Sequence, residues 1–407
     1  MLQLVKIFTI IMLTTSSEGG MNTIFPPYLE ALGLSVSRIG FVVSLFGVMQ
    51  LVARLPSGAL YAGHRARALL GGALALLALS TAGFAYNGGS LYLLALTLLH
   101  GFAFGAVTTV MLALTIESKP QGYSHGVTMG WYTAFISAGY AIGSSLGGFV
   151  VDGLGFQAGF GIIGSFPLLA ILLVGWLPRS EATPSRPLAV QAPVAPASPW
   201  PRRFGRIDLS GLTPTILLAT LVAFYINFLD DAVGTFFPLF GLSIGLSLTT
   251  IGALRIARSL AAIGIRSVAG FFFKFVDYRL LNNTAILVWS LVVLLFPEMR
   301  VGWVFLLAFV VVGLSRGLIR VTSATMVAEE KAADSRRIGL ASGFYNAGLD
   351  VGAILGPPVG GLLASATDIP TMFRLVPCSL LLFYFSALIL ASRVARAPVS
   401  VPDRPQD

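Results

Sequence analysis

The 407-residue chain is 56% hydrophobic, only 11% charged, and carries a formal net charge of +9. A soluble domain has roughly 25% charged residues, so a water-facing globule is excluded, whereas hydrocarbon penalises a mid-depth charge by about 2.5–3.5 kcal/mol and selects this composition. The positive balance does not point to nucleic acid, since Lys and Arg lie scattered between apolar runs with no basic stripe. A single cysteine, Cys378, excludes an internal disulfide and a cysteine-based metal cluster, and His64, His100 and His125 have no ligand spacing. No cofactor or metal is expected, and the lipid bilayer is the expected surrounding.

A spanning helix needs about 20 mostly apolar residues, and the sequence predicts twelve. Span 1 covers 4–29. Its Lys6, apolar run and small residues from Thr14 to Gly20 resemble a leader peptide, but there is no A-x-A-like site and the run resumes to Leu29. Glu18, Asn22 and Pro26 recur at i+4 and so share one face of this helix. Span 2 (38–62) carries Arg54, and spans 3, 4, 5 and 6 follow at 68–87, 90–115, 125–151 and 156–177, with Gly139 and Gly143 in span 5. The stretch 178–208 is rich in Pro and Ala and cannot form a continuous helix, so it reads as a linker.

Span 7 (211–240) carries Asp230 and Asp231, which point about 100° apart. Only one of them is therefore expected to face a cavity squarely. Arg255, Arg258 and Arg266 form roughly one stripe on span 8 (249–275), and Arg316 and Arg320 sit at i, i+4 on span 10 (302–327). Span 9 is 281–297. Span 11 (338–364) holds Tyr345, Asn346, Asp350, Gly352, Gly356 and Pro357, and span 12 (370–391) precedes a tail at 393–407. The expected domains are 1–177 and 209–392, joined by the 178–208 linker. Most of the 26 Lys and Arg fall on one side, among them Lys6, Arg65, Arg67, Arg202, Arg336 and Arg393, against Arg38, Arg300 and Arg374 on the other. The positive-inside rule then places both termini in the cytoplasm of a bacterial inner membrane.

The two halves repeat one another at a constant offset. Phe25-Pro26 matches Phe237-Pro238, Gly33-Leu34-Ser35 matches Gly245-Leu246-Ser247, and Arg54 matches Arg266. One residue further on, Gly139, Gly143, Gly147 and Gly148 match Gly352, Gly356, Gly360 and Gly361. Parallel repeats of this kind suit a transporter whose halves rock about a midplane site. The repeat also places Asp230 at the equivalent of Glu18.

Ionisable residues inside spans are functional candidates. Glu18, Asp230 and Asp231 are candidates to load and release protons, with permanent pairing to Arg the competing reading. Asn22, Arg255, Arg258, Arg316 and Arg320 are candidates to line a solute cavity. Tyr345 and Asn346 join them, or serve only in packing. An Arg stays charged and needs an anion or water. Six intramembrane Arg face four acids, so an anionic or zwitterionic small-molecule solute is expected, with structural or gating pairs the alternative.

The pattern Gly348, Gly352, Gly356-Pro357, Gly360-Gly361 resembles, within a likeness that spans nearly the whole chain, the glycine-proline antiporter motif of the major facilitator superfamily. In the family it lies on the fifth helix; here it lies on span 11, and span 5 has Ser144 in place of the proline. The resemblance implies an all-α membrane protein of twelve transmembrane helices in two pseudo-symmetric six-helix bundles, working as a monomer. It implies transport by alternating access and not enzymatic catalysis. It also favours proton-coupled efflux, as in the drug and metabolite:proton antiporter branch, with a uniporter or proton-coupled importer of an organic anion as the alternative. The expected gating residues are Gly139, Gly143, Gly352, Gly356 and Pro357, with Arg266, Arg54 and Asp350. The resemblance packs spans 2 and 11 together across the halves. Arg54 and Asp350 then differ in depth by roughly 6 Å, within side-chain reach. The family's acidic latch between spans 2 and 3 is replaced here by Ala62 and Gly63, with Lys274 and Asp277 as candidate substitutes.

Overall fold

With no water to satisfy it, a backbone in hydrocarbon must close its own hydrogen bonds, so long apolar runs become helices. The computed structural model describes residues 2–62, 64–86, 88–118, 125–176, 213–272, 275–329 and 335–396. Among these, the helices are α1 (Leu2–Ala31), α2 (Val36–Leu60), α3 (Ala66–Gly83), α4 (Ser90–Glu117), α5 (His125–Gly175), α6 (Pro214–Ser243), α7 (Leu248–Phe272), α8 (Tyr278–Leu294), α9 (Gly302–Glu329), α10 (Ser335–Ala366) and α11 (Ile369–Arg396). The expected linker at 178–208 and the tail beyond Arg396 lie outside the described residues.

Ten of these helices are long and apolar enough to cross a membrane by length and composition. Spans 5 and 6 appear as one 51-residue run, α5, whose single non-helical position is Gly155, at φ 82° and ψ 173°. That conformation is open essentially to glycine alone. α1 is absent from the ten. Its polar stretch Thr14, Thr15, Ser16, Ser17 and Glu18 dilutes its apolar character, yet all five side chains are buried inside the protein. Thr14 donates to Ile10 O (2.9 Å) and Thr15 to Ile11 O (2.8 Å), so these hydroxyls bond back along their own helix.

The sequence repeat is also a repeat of local geometry. α1 ends at Gly33 (φ +81°), where Leu34 N donates to Leu29 O at 3.1 Å. α6 ends at Gly245 (φ +86°), where Leu246 N donates to Gly241 O at 2.9 Å. Glycine adopts this left-handed turn without steric penalty.

In chain order the helices are taken as a first set, α1–α5, and a second, α6–α11. α1 lies along α5, with α2 on α4 and α3 on both α4 and α5; α6 lies along α10, with α7 on α9 and α8 on α9 and α11. Glycines allow backbone to touch backbone. A methyl group at Gly143 would strike Ser16 O, and one at Gly352 would strike Phe224 O. The sets meet through α5–α7, α2–α10 and α1–α6. At one end Gly40 faces Pro357 O, Gly361 faces Val36 O, and Gly252 faces Ser144 O. There Asp152, on α5, accepts from Leu248 N (3.2 Å), Thr249 N (2.7 Å) and Thr249 Oγ1 (2.7 Å), capping α7 from the opposite set.

Candidate functional site

Behind this closed end, a cavity of about 870 Å³ separates the two sets. Drug-sized ligand sites typically occupy about 300–1,000 Å³. Four acids line it, Glu18, Asp230, Asp231 and Asp350, together with six arginines, Arg54, Arg255, Arg258, Arg266, Arg316 and Arg320.

The arginines come mainly from α7 and α9, which run side by side in parallel. Gly313 sits against the Arg258 backbone and Gly317 against Ala262 and Ile265, so Arg320 comes level with Arg266. Asp230 lies between two guanidiniums: Arg258 Nη1 is 2.6 Å from one carboxylate oxygen and Arg316 Nη2 is 2.9 Å from the other. Arg320 instead donates to Asn227 Oδ1 (2.9 Å). Arg255 donates to the backbone oxygens of Asn22 (3.1 Å) and Gly234 (2.7 Å). The Nε atoms of Arg266 and Arg316 are buried without a hydrogen-bond partner among the described residues. Among the described residues, Arg255, Arg266 and Arg320 thus have no carboxylate of their own, and a buried donor left unsatisfied costs about 1–3 kcal/mol. The cavity lining therefore carries more guanidiniums than carboxylates.

Glu18 is held differently. Its Oε2 lies 3.0 Å from Nε2 of His100 on α4, both side chains being buried. His100 Nδ1 lies 3.1 Å from Thr81 Oγ1 on α3, and Thr81 also donates to Leu77 O at 2.7 Å. Sequence reasoning missed His100 as a partner, because 82 residues separate it from Glu18. Its only sequence signal was an ionisable side chain inside a span. Asn227 and Asp152 were missed as well. Asn227 stands three residues before Asp230 on the same helix face, a spacing that was available to read.

The structure brings together Glu18, Asn22, Asp230, Asp231, Arg255, Arg258, Arg316 and Arg320 as cavity lining. Asp231 lines the cavity beside Asp230. Arg54 meets Asp350, with Nη1 at 2.8 and 2.7 Å from the two carboxylate oxygens. Tyr345 and Asn346 are outside the lining, and Tyr345 bonds to Ser323 at 3.0 Å. Gly139, Gly143, Gly352 and Gly356 press on α1 and α6, within each set and not between them, whereas Pro357 does sit where the sets meet. Asp277 caps α8 by accepting from Arg279 N (2.8 Å), while Lys274 lies outside the described residues.

The sequence pattern of the Major Facilitator Superfamily matches residues 7–336. The chain belongs to the Major Facilitator Superfamily. It is accordingly a membrane solute transporter that works by alternating access. Its structure is similar to that of the nucleoside transporter NupG, with a TM-score of 0.74 at 13% identity over 95% of this chain and 99% of that one. It is also similar to a bacterial homolog of the human lysosomal transporter Spinster in an inward-facing, occupied conformation, with a TM-score of 0.72 at 13% identity over 99% of this chain and 98% of that one. At such identities the likeness shows the fold alone. A multi-drug resistance efflux pump PmrA homolog from Lactococcus lactis is 30% identical over 164 residues, which span 39% of this chain and 40% of that protein's length.

Proposed function

We propose that this superfamily member is a proton-coupled secondary transporter that exports a small anionic or zwitterionic organic solute across the bacterial inner membrane. It has twelve spans in two six-helix bundles, with α5 supplying two spans on either side of Gly155 and α1 the one whose polar residues face inward. Both termini are cytoplasmic, and the monomer is the working unit. The observation that carries this reading is the cavity between the helix sets, closed at one end and lined by six arginines and four acids. Size limits the solute to a small molecule, and the guanidinium excess selects for negative charge. The efflux direction is supported by the partial likeness to an efflux pump homolog and by the glycine-proline pattern on α10.

A second reading, proton-coupled import or uniport of an organic anion, is favoured by the same excess of arginines. A negative solute and a proton attract one another, so binding of one favours the other, and by linkage the effect is reciprocal. That is the behaviour of cotransport. Proteoliposomes enclosing a pH-sensitive dye, given a proton gradient and a panel of anionic, zwitterionic and cationic solutes, test both readings. Proton movement opposite to the solute supports export by exchange, movement with the solute supports import, and flux without protons supports uniport. Response to cations alone would overturn the assignment of solute charge.

A further inference from the structure

We infer that Glu18, His100 and Thr81 form a one-proton store, separate from the arginine-bound Asp230, and that its proton is the one coupled to solute movement. The inference rests on the coupling proposed above and assigns it to particular atoms.

The argument is a count of hydrogens. Thr81 has one hydroxyl hydrogen for two neighbours, Leu77 O at 2.7 Å and His100 Nδ1 at 3.1 Å, and in one arrangement Leu77 O takes it. The 3.1 Å contact with His100 is then a hydrogen bond only if Nδ1 carries a hydrogen and Thr81 Oγ1 accepts it. On the other side of the ring, the 3.0 Å contact between Nε2 and Glu18 Oε2 needs a second hydrogen. Either the ring is an imidazolium facing a carboxylate, or a neutral imidazole accepts from a carboxylic acid. Both forms hold two hydrogens on the pair and have no net charge.

Removing one proton leaves a form that is also fully bonded. The remaining hydrogen resides on Nε2 and is donated to the Glu18 carboxylate. Nδ1 now offers a lone pair, and the Thr81 hydroxyl turns from Leu77 O to donate to it. One proton has left, the ring has changed tautomer, and the hydroxyl has rotated, with no heavy atom moved. The carbonyl of Leu77 keeps other partners within its helix. Glu18 lines the cavity while His100 is fully buried, so Glu18 is the port to water and His100 the positioning residue behind it.

The surroundings suit this role. α2 presents the Phe46 ring, 4.4 Å from the His100 ring, and α3 presents Phe84 at 6.3 Å. From α5, Tyr140 stands within electrostatic range of Glu18 on one side and of Asp230, Asp231 and Arg316 on the other. From α7, Arg255 reaches the backbone of Asn22, one turn from Glu18, and Arg258 holds Asp230. Asp230 itself is engaged by two guanidiniums that stay charged, which makes it a fixed counterion. Solute charge on the arginines and proton charge on Glu18 therefore act on each other across one cavity without competing for one carboxylate.

Nitrogen-15 NMR of histidine-labelled protein in detergent, titrated with the proton alone over about pH 5–9, reads the tautomer directly, and His100→Gln identifies the resonance among the three histidines. The expected result is a pH-driven loss of the His100 Nδ1 hydrogen that leaves an Nε2-protonated ring. The change is retained in Thr81→Ser and altered in midpoint by at least several-fold in proton concentration in Thr81→Val. In proteoliposomes, Glu18→Gln is expected to exchange labelled solute while moving no protons. A His100 signal constant across the titration, or proton movement surviving in Glu18→Gln, overturns the inference. If wild type carries solute with no proton movement at all, the coupling proposed above is overturned instead.

Discussion

Asp230 accepts from Arg258 and Arg316 together, so the three residues have unequal weights. Removing the acid leaves two half-buried cations without their shared carboxylate, and breaking a fully buried pair from one side, an upper bound here, costs about 3–5 kcal/mol. Removing Arg258 leaves Arg316 in place and costs only a charged hydrogen bond, about 1.5–3 kcal/mol. Asp230→Asn is therefore expected to lower the melting temperature in detergent more than Arg258→Gln does; the reverse order would remove Asp230 from the centre of the network. Arg54 and Asp350 form a weaker pair, because 45% of the Arg54 side chain is exposed. A double-mutant cycle on stability is expected to return no more than about 1 kcal/mol of coupling. Charged residues inside spans were legible as candidates from the sequence, since hydrocarbon makes them expensive. The pairing of Glu18 with His100 was not, because it depends on α1 and α4 packing side by side.

At the scale of the helix, glycine has two separate uses here. Gly143 is a contact glycine: the Ser16 backbone occupies the space a side chain would need. Gly143→Ala must push α1 and α5 apart, and overpacking of this kind costs about 1–3 kcal/mol. Gly161, on the same helix, has nothing within 4 Å of its missing methyl group. Gly161→Ala is expected to be neutral or to stabilise by up to about 1 kcal/mol, through helix propensity. Thermal unfolding of the two variants side by side tests this, and equal losses would mean that close packing is not what Gly143 provides. Gly155 is a conformational glycine, since its backbone angles interrupt α5. The matched glycines of α5 and α10 were visible as a repeat. That Gly139, Gly143, Gly352 and Gly356 pack within a set, α5 on α1 and α10 on α6, while Gly148 and Gly361 face the other set, required knowing which helix lies opposite each one.

For the whole molecule, the cap that Asp152 places on α7 joins the two helix sets at the closed end. Loss of a helix cap costs about 0.5–2 kcal/mol. For Asp152→Ala the population closed at this end is therefore expected to fall by roughly 2- to 30-fold relative to the open one. Spin labels on the facing ends of α5 and α7 read this as a longer distance; an unchanged distribution would mean that apolar contact, and not the cap, closes the end. The sequence by itself determined the membrane setting, the helical class, the internal repeat and the candidate charges. Composition, span length and the penalty for charge in hydrocarbon are properties of local chain segments. Only the tertiary structure decided which charges meet, which glycines bridge the sets, and that Asp231 is part of the cavity lining while Tyr345 is not. Those outcomes depend on how helices distant in sequence turn their faces toward one another, and a helix rotated by one residue, about 100°, presents a different set of side chains.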